Sequence, residues 1–510
     1  MDRRVLLGAG VGALAGSWLT GCGGGGGSSG APVTPAPSPD VGPYAALARQ
    51  MKGQLLVSGH ADFDAFRRPA NARFDAVVPQ ALARCAGPED VVAALNFALT
   101  NKIAFTARSG GHSYLAASTG TGLVIDTGPM DSVRMDGDIA VVGAGAKVAD
   151  VYRALLALPQ PRLLPSGSCP TIGISGITMG GGFGFFQRAY GLTCDALVGA
   201  TLVGADGQSV TCDATRNADL FWALRGGGGG NFGIVTELRF QTQPLPAFNT
   251  CWGQFGSGDL VGVALAWQAW SATLPESVWS QCQIGVDSVG KMLLSVFVVG
   301  FDGAAALRAQ WDRFLITAPA APTAQDPAQV ISAATLLMNR CADLTAVQCH
   351  LPSQASGGQM PRVAMTASSD FFAQPIPAAG MQTLVDALAA RGRAGGGGVV
   401  IFDQMGGAIA RVAADATAFP HRDALFSAQY LTENLAGSST PAQLDDDARW
   451  THSLRTAMSP WSSGGAYVNY PDAAITDAAS AYYGGNLTRL RAVKRAVDAN
   501  GVFKTPLATL

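Results

Sequence analysis

The stretch PSGSCPTIGISGITMGGGFGFFQRAYGLTCDALVG, residues 165–199, constrains this chain more than any other. Glycines at 173, 176, 180, 181, 182 and 184 are interleaved with Ile172, Ile174, Ile177, Met179, Phe183, Phe185 and Phe186. A surface loop has no use for so many apolar side chains. A packed core has no use for so many glycines, which lose more backbone entropy on ordering than any other residue. The combination suits a buried backbone that lies against a flat or phosphorylated ligand and presents its amide N–H groups without side chains intervening. GGGFGF resembles a dinucleotide fingerprint, but a Rossmann motif needs a strand before it, a helix after it and an acid about 20 residues on. The residues before GGGFGF read as loop, which disfavours a nicotinamide reductase.

The rest of the chain must build walls around that backbone. With 510 residues, 48% of them apolar, it can bury one or two substantial cores, and a net charge of −2 leaves no basic footprint for nucleic acid. From about residue 72 to 245, short β-rich runs alternate with helical ones. FDAVV (74–78), AFTAR (104–108), GLVIDT (122–127) and IAVVGAG (139–145) are predicted strands. GPEDVVAALNFALTNKI (87–103) is a predicted helix, with Pro88 and two acids at its start and apolar residues at helical spacing; KVADVYRALLAL (147–158) is another. ALVGATLVGADGQSVTCD (196–213) is a predicted hairpin turning at Ala-Asp-Gly. This order is α+β, not a run of βαβ units. From about 246 to 455 the texture changes to longer β-rich runs, KMLLSVFVVGFD and GGGVVIFDQMGGAIARV, mixed with amphipathic helices such as AALRAQWDRFLI, and predicts a second lobe.

Residues 1–21 carry Arg3, Arg4 and an apolar run from Val5 to Leu19 that is too short to span a bilayer as a helix, so they read as a signal peptide. Leu-Thr-Gly before Cys22 resembles a bacterial lipobox, which implies a lipid on that sulfur; the paired arginines resemble a twin-arginine export signal. Residues 22–42, rich in Gly and Ser and then in Pro, form a tether. The expectation is an exported bacterial lipoprotein anchored to a membrane, periplasmic or at the cell surface. None of the nine cysteines forms a Cys-x-x-Cys pair and the five histidines are scattered, so no metal site is expected. Cys341 with Cys349, and Cys251 with Cys282, are candidate disulfides for an oxidising compartment.

FTARSGGHSYLA (105–116) puts His112 behind a Gly-Gly pair, where it either caps a turn or holds a ligand. RSGGHS (108–113), SGSCPTIGISGITMGGGFGFFQRAYGLTCD (166–195), NFGIVT (231–236), YVNY (467–470) and YYGGN (482–486) together resemble the berberine bridge enzyme-like branch of the flavoproteins with a PCMH-type FAD-binding domain. The resemblance runs from about residue 70 to 510. It implies a two-lobed α+β fold of the PCMH/vanillyl-alcohol-oxidase type: an FAD-binding domain over 43–245, an antiparallel-sheet substrate domain over 246–455, and a C-terminal segment, 456–510, completing the FAD site. It also implies FAD attached twice, through His112 to the 8α-methyl carbon and through Cys169 to C6. Cofactor contacts are implied from Arg108, Ser109, Gly110, Gly111, Ser113, Ile172, Gly173, Gly176, Gly180, Gly233, Ile234, Val235 and Asn469. Double attachment raises the flavin's reduction potential, and for a two-electron couple each ~30 mV is ~1.4 kcal/mol of driving force.

The activity so implied is oxidation of an alcohol, carbohydrate-like or a secondary metabolite, by hydride transfer to flavin N5. The resemblance assigns Tyr470 as proton acceptor with Asp403 behind it, Tyr114 near the substrate and Tyr467 lining the pocket. A phenol with a pKa of about 10 is a poor base alone at neutral pH, so a carboxylate that takes its proton makes the relay workable. Trp252, Trp270, Trp279 and Trp311 either stack on a sugar ring or belong to the core. Two departures stand out. Ile177 occupies the position eight after Cys169 where plant members often carry His, and Ile172 falls where valine is typical of oxidases and bulkier residues of dehydrogenases. O2 is the expected electron acceptor, with a dehydrogenase that feeds a quinone or redox partner as the alternative. A non-catalytic ligand-binding lipoprotein is the third reading, opposed by the presence of both His112 and Cys169.

Overall fold

The computed structural model describes residues 41–256, 258–506 and 509–510. The predicted signal peptide, Cys22 and nearly all of the tether lie outside these residues.

Near the N-terminus a four-stranded sheet runs in the order Gln54–Val57, Ala81–Arg84, Leu123–Asp126, Phe105–Arg108. Ala81–Arg84 and Phe105–Arg108 are both parallel to Leu123–Asp126, which lies between them, and the helix Pro88–Thr100 makes the crossover. Proline in the first turn pre-sets the helical φ. Asp90 in the same turn accepts the backbone N–H groups of Lys52, Gly53 and Ala86, each at 2.8 Å, which ties the helix start to the sheet edge. The predicted strand over 74–78 is not formed. Ala72–Phe74 is a 3-10 turn capped by Asn71, whose side chain also donates to Met365 O and accepts from Met365 N, and the strand begins after Pro79.

A five-stranded antiparallel sheet follows, ordered Val133–Asp136, Ile139–Gly143, Ile234–Gln241, Leu197–Val203, Ser209–Asp213. The expected hairpin is its last pair, with Gly207 at φ +73° in the turn. The stretch read as loop before GGGFGF is partly helical, Ile174–Gly180.

The second lobe is one seven-stranded antiparallel sheet: Ala324–Gln329, Asn249–Phe255, Met292–Gly300, Val278–Val286, Gly398–Gln404, Phe426–Leu435, Val363–Phe372. The helices Leu260–Ser271, Ala304–Thr317, Ala378–Arg393 and Pro441–Met458 accompany it. Period-2 alternation sorts its side chains. Cys282, Ile284, Leu294, Val296, Val298, Val400, Phe402, Ala428 and Tyr430 enter the core shared with those helices. The alternate positions Trp252, Gln281, Gln283, Ser295, Ile401, Asp403 and Gln429 line a cavity instead. Cys251 and Cys282 are not bonded. Each pairs with the intervening strand, at Val298 and Val296, so two strand spacings of about 4.8 Å separate them, beyond disulfide reach. Cys341 and Cys349 do form the predicted bridge.

The C-terminal residues return to the first lobe. Helix Leu487–Val497 packs on helix Ala218–Leu224, and buried Lys494 donates to Asn231 O (2.6 Å) and Phe503 O (2.7 Å) while pairing with Asp498 (2.7 Å). This knot places residues 503–506 and Thr509 on the wall of the cavity.

Candidate active site

A cavity of about 550 Å³ lies between the two lobes, within the usual range for ligand sites. One wall is backbone. Gly110 and Gly173 touch so closely that a Cβ on Gly110 would lie 2.1 Å from Gly173 N, so only glycine lets these two loops meet. Gly111 has φ +78°, the left-handed region. Among the described residues, the backbone N–H groups of Gly110, Gly111, His112, Ser113 and Tyr114 donate to no protein acceptor. Successive unpaired amides in such a turn form an anion-binding concavity.

Ser109, Gly110, Gly111, His112, Ser113, Tyr114, Cys169, Ile172, Gly173, Gly176, Gly233, Ile234, Val235, Asp403, Tyr467, Asn469 and Tyr470 all line this cavity. The two other proposed contacts differ from each other. Arg108 also lines the cavity, while its guanidinium donates to Phe66 O (2.6 Å), Ser118 O (2.8 Å) and Arg67 O (2.9 Å). Gly180 does not line the cavity; a Cβ there would lie 2.1 Å from Asn469 Oδ1, so the glycine makes room for that asparagine. Of the four tryptophans, Trp252 and Trp279 face the cavity, whereas Trp270 and Trp311 pack against Phe314 in the helix-side core.

His112 Nε2 lies 3.0 Å from Thr171 Oγ1. Burial and the positive charge of Lys147 push the imidazole down to about 4, so the ring is neutral at pH 7. Cys169 is exposed to the cavity, yet the surrounding protein raises its thiol pKa, against the opposing effect of a hydrogen bond to Thr171.

At the substrate-lobe side, Tyr470 meets Tyr114 edge-on at 6.0 Å and Tyr467 edge-on at 4.9 Å between ring centroids. Tyr114 Oη accepts from Gln429 Nε2 at 3.0 Å. Tyr467 is buried and stacked on Phe183 at 4.1 Å, and its hydroxyl accepts from Gly182 N (2.8 Å) and Asn469 Nδ2 (2.9 Å); this tyrosine braces the glycine-rich stretch. Burial lifts Asp403 to about 6, partly opposed by Gln281 Nε2, which donates to Oδ1 at 2.8 Å. Burial, then the nearby Asp403 charge, raises Tyr470 well above an ordinary phenol.

Gln281, Gln283, Ser295 and Gln429 escaped notice in the sequence. Gln283 Nε2 donates to Gln281 Oε1 at 2.5 Å, while Gln283 Oε1 and Trp279 Nε1 are buried without partners among the described residues. A signal was there: SQCQI alternates amides with apolar residues, which puts both glutamines on one face of a strand. The five consecutive glycines 226–230 are a second such signal, and Gly228, Gly229 and Gly230 line the cavity.

An FAD binding domain model matches residues 79–213, and a model described as berberine and berberine like matches 466–508. An uncharacterized FAD-linked oxidoreductase of Bacillus subtilis is 31% identical over 463 residues, covering 89% of this chain and 96% of that protein. The chain belongs to the berberine bridge enzyme-like FAD-linked oxidoreductases. Among solved structures, Physcomitrella patens BBE-like 1 superposes on this family member with a TM-score of 0.80 at 26% identity, covering 91% of this chain and 98% of its own. The glucooligosaccharide oxidase of Acremonium strictum, studied for its 6-S-cysteinyl, 8α-N1-histidyl FAD, gives a TM-score of 0.78 at 26% identity with the same coverages. The residues present fit FAD. The unpaired amides of 110–114 suit its pyrophosphate, and Gly176, where an added Cβ would meet nothing within 4 Å, leaves open space in the cavity for a flat ring.

Proposed function

We propose that this berberine bridge enzyme-like oxidoreductase oxidises a carbohydrate-like alcohol, using FAD bonded to both His112 and Cys169, with dioxygen as electron acceptor. The observation that carries this reading is a single cavity whose walls bear His112 and Cys169 from one lobe, Asp403 from the other and Tyr470 from the C-terminal segment. When bound, FAD supplies the two-electron acceptor for the substrate's C–H hydride. The chain supplies the rest. Tyr470 Oη takes the substrate's hydroxyl proton as its own proton passes to Asp403, whose raised pKa of about 6 makes it a stronger base than a solvent-exposed carboxylate. Substrate loses one hydride and one proton and becomes a carbonyl compound; the two electrons then reduce dioxygen to hydrogen peroxide.

The row of Gln281, Gln283, Ser295 and Gln429, with Trp252 and Trp279 beside it, suits a polyhydroxylated ring: amides for hydroxyls, aromatic faces for C–H groups. Anaerobic flavin bleaching by a panel of oligosaccharides and simple alcohols tests the reading, and a coloured protein bleached only by non-sugar alcohols would refute the substrate class. A second reading, electrons passing to a quinone or redox protein, rests on Ile172, whose branched side chain stands on the cavity wall three residues after Cys169. Stopped-flow reoxidation in air separates the two. We also infer export and anchoring through Cys22; the Cys341–Cys349 bridge supports an oxidising compartment.

A further inference from the structure

Thr171 stands between the two residues that this reading bonds to the flavin. It is buried, and its Oγ1 lies 3.0 Å from His112 Nε2 and 3.8 Å from Cys169 Sγ, the second within range for a sulfur hydrogen bond. A hydroxyl has one proton to give and lone pairs to receive. One arrangement serves both neighbours: Oγ1 accepts from His112 Nε2–H and donates its own proton to Cys169 sulfur. The first bond fixes the imidazole tautomer in which Nδ1 carries a lone pair. The second favours the thiolate, the nucleophilic form of cysteine.

Thr171 is itself held from outside the cofactor lobe. Gln354 Nε2 donates to Thr171 O and to Gly110 O, each at 2.8 Å, and Gln354 Oε1 accepts from Leu351 N at 3.1 Å. Carbonyls only accept and a backbone amide only donates, so this amide has one workable orientation. Its segment is fastened by the Cys341–Cys349 bridge and by His350 Nε2 against Asp150 Oδ2 at 3.0 Å. One side chain thus joins the loop two residues before His112 to the loop two residues after Cys169.

We propose that Thr171 is the positioning residue that readies both nucleophiles for flavin attachment, and that Gln354 holds it in place. The inference rests on the double attachment proposed above. Each attachment exchanges an N–H or S–H proton and a flavin C–H hydrogen for an N–C or S–C bond; dioxygen takes up the two protons and two electrons released and becomes hydrogen peroxide.

The test is peptide mapping of the purified protein after denaturation, alkylation with iodoacetamide and proteolysis. In wild type the His112 and Cys169 peptides are expected as one species joined through FAD, with Cys169 protected from alkylation. Thr171→Val keeps the side-chain shape and removes the hydroxyl; alkylated Cys169 should rise about tenfold or more, as small misplacements of reacting groups do. Thr171→Ser should restore the joined species, and Gln354→Leu should lose it as Thr171→Val does. Full joining in Thr171→Val, or equal loss in Thr171→Ser, overturns the inference. If Thr171→Val is insoluble, Gln354→Leu decides alone, and full joining there overturns it. A wild-type protein without the joined peptides removes the double attachment itself, and this inference with it.

Discussion

Asp403→Asn removes a charge that the fold holds against its own stability, so the proposed proton relay and the energetics of the cavity can be read from one variant. Burial lifts Asp403 from 3.8 to about 6. At about 1.4 kcal/mol per tenfold change in acid strength, ionising it in the folded protein costs roughly 3 kcal/mol more than in the unfolded chain. The sign follows from the raised pKa. Below about pH 4 both states are protonated and the penalty is absent; it grows from pH 4 to 6 and is complete above 6. Asparagine carries no charge and can still accept from Gln281 Nε2. At pH 7 the variant should therefore be more stable than wild type by up to roughly 3 kcal/mol, a gap that closes as pH falls to 4. Activity should move the other way. Flavin reduction in wild type should rise with pH through about 6, whereas Asp403→Asn should be slower by about 10²–10⁴-fold, the usual contribution of a positioned base, and should lack that pH dependence. Urea unfolding at pH 4 and 7 measures the first, anaerobic stopped-flow absorbance the second. An asparagine variant that reduces its flavin at the wild-type rate, with the same dependence on pH, would refute the assignment of Asp403.

Tyr470→Phe should keep the bound flavin and its colour while slowing reduction by about 10²-fold or more; unchanged anaerobic reduction kinetics would remove Tyr470 from the relay. Gln283→Leu deletes a buried acceptor that has no partner among the described residues together with the donation from Nε2 to Gln281 Oε1, so stability should change by no more than about 1–2 kcal/mol; loss of a bond to substrate should raise KM about tenfold with little change in kcat. Lys494→Met leaves Asp498 buried without its cation, which should destabilise the protein by about 3–5 kcal/mol in urea unfolding. The same change should free residues 503–506 from the cavity wall, seen as faster proteolysis at the C-terminus.

What the sequence determined by itself is mostly local. Helical spacing behind Pro88, the Ala-Asp-Gly turn and the long apolar runs of the second lobe were legible because short-range periodicity and turn chemistry encode them directly. The glycine-rich stretch was legible as ligand-facing backbone, since so many glycines among apolar residues have few other uses, and His112, which the sequence left between turn cap and ligand contact, lies on the cavity wall. FDAVV failed as a strand because a distant partner, Met365, holds Asn71 and fixes the turn just before it. That the Arg108 guanidinium is tied to three carbonyls was not legible, because those partners come from separate segments of the chain. Only the tertiary structure brings Tyr470 against Tyr114, 356 positions apart in the chain, and sets Gln354 across the loops of His112 and Cys169. Contacts of that kind arise when separate elements pack their buried faces together, and no window of sequence contains both partners.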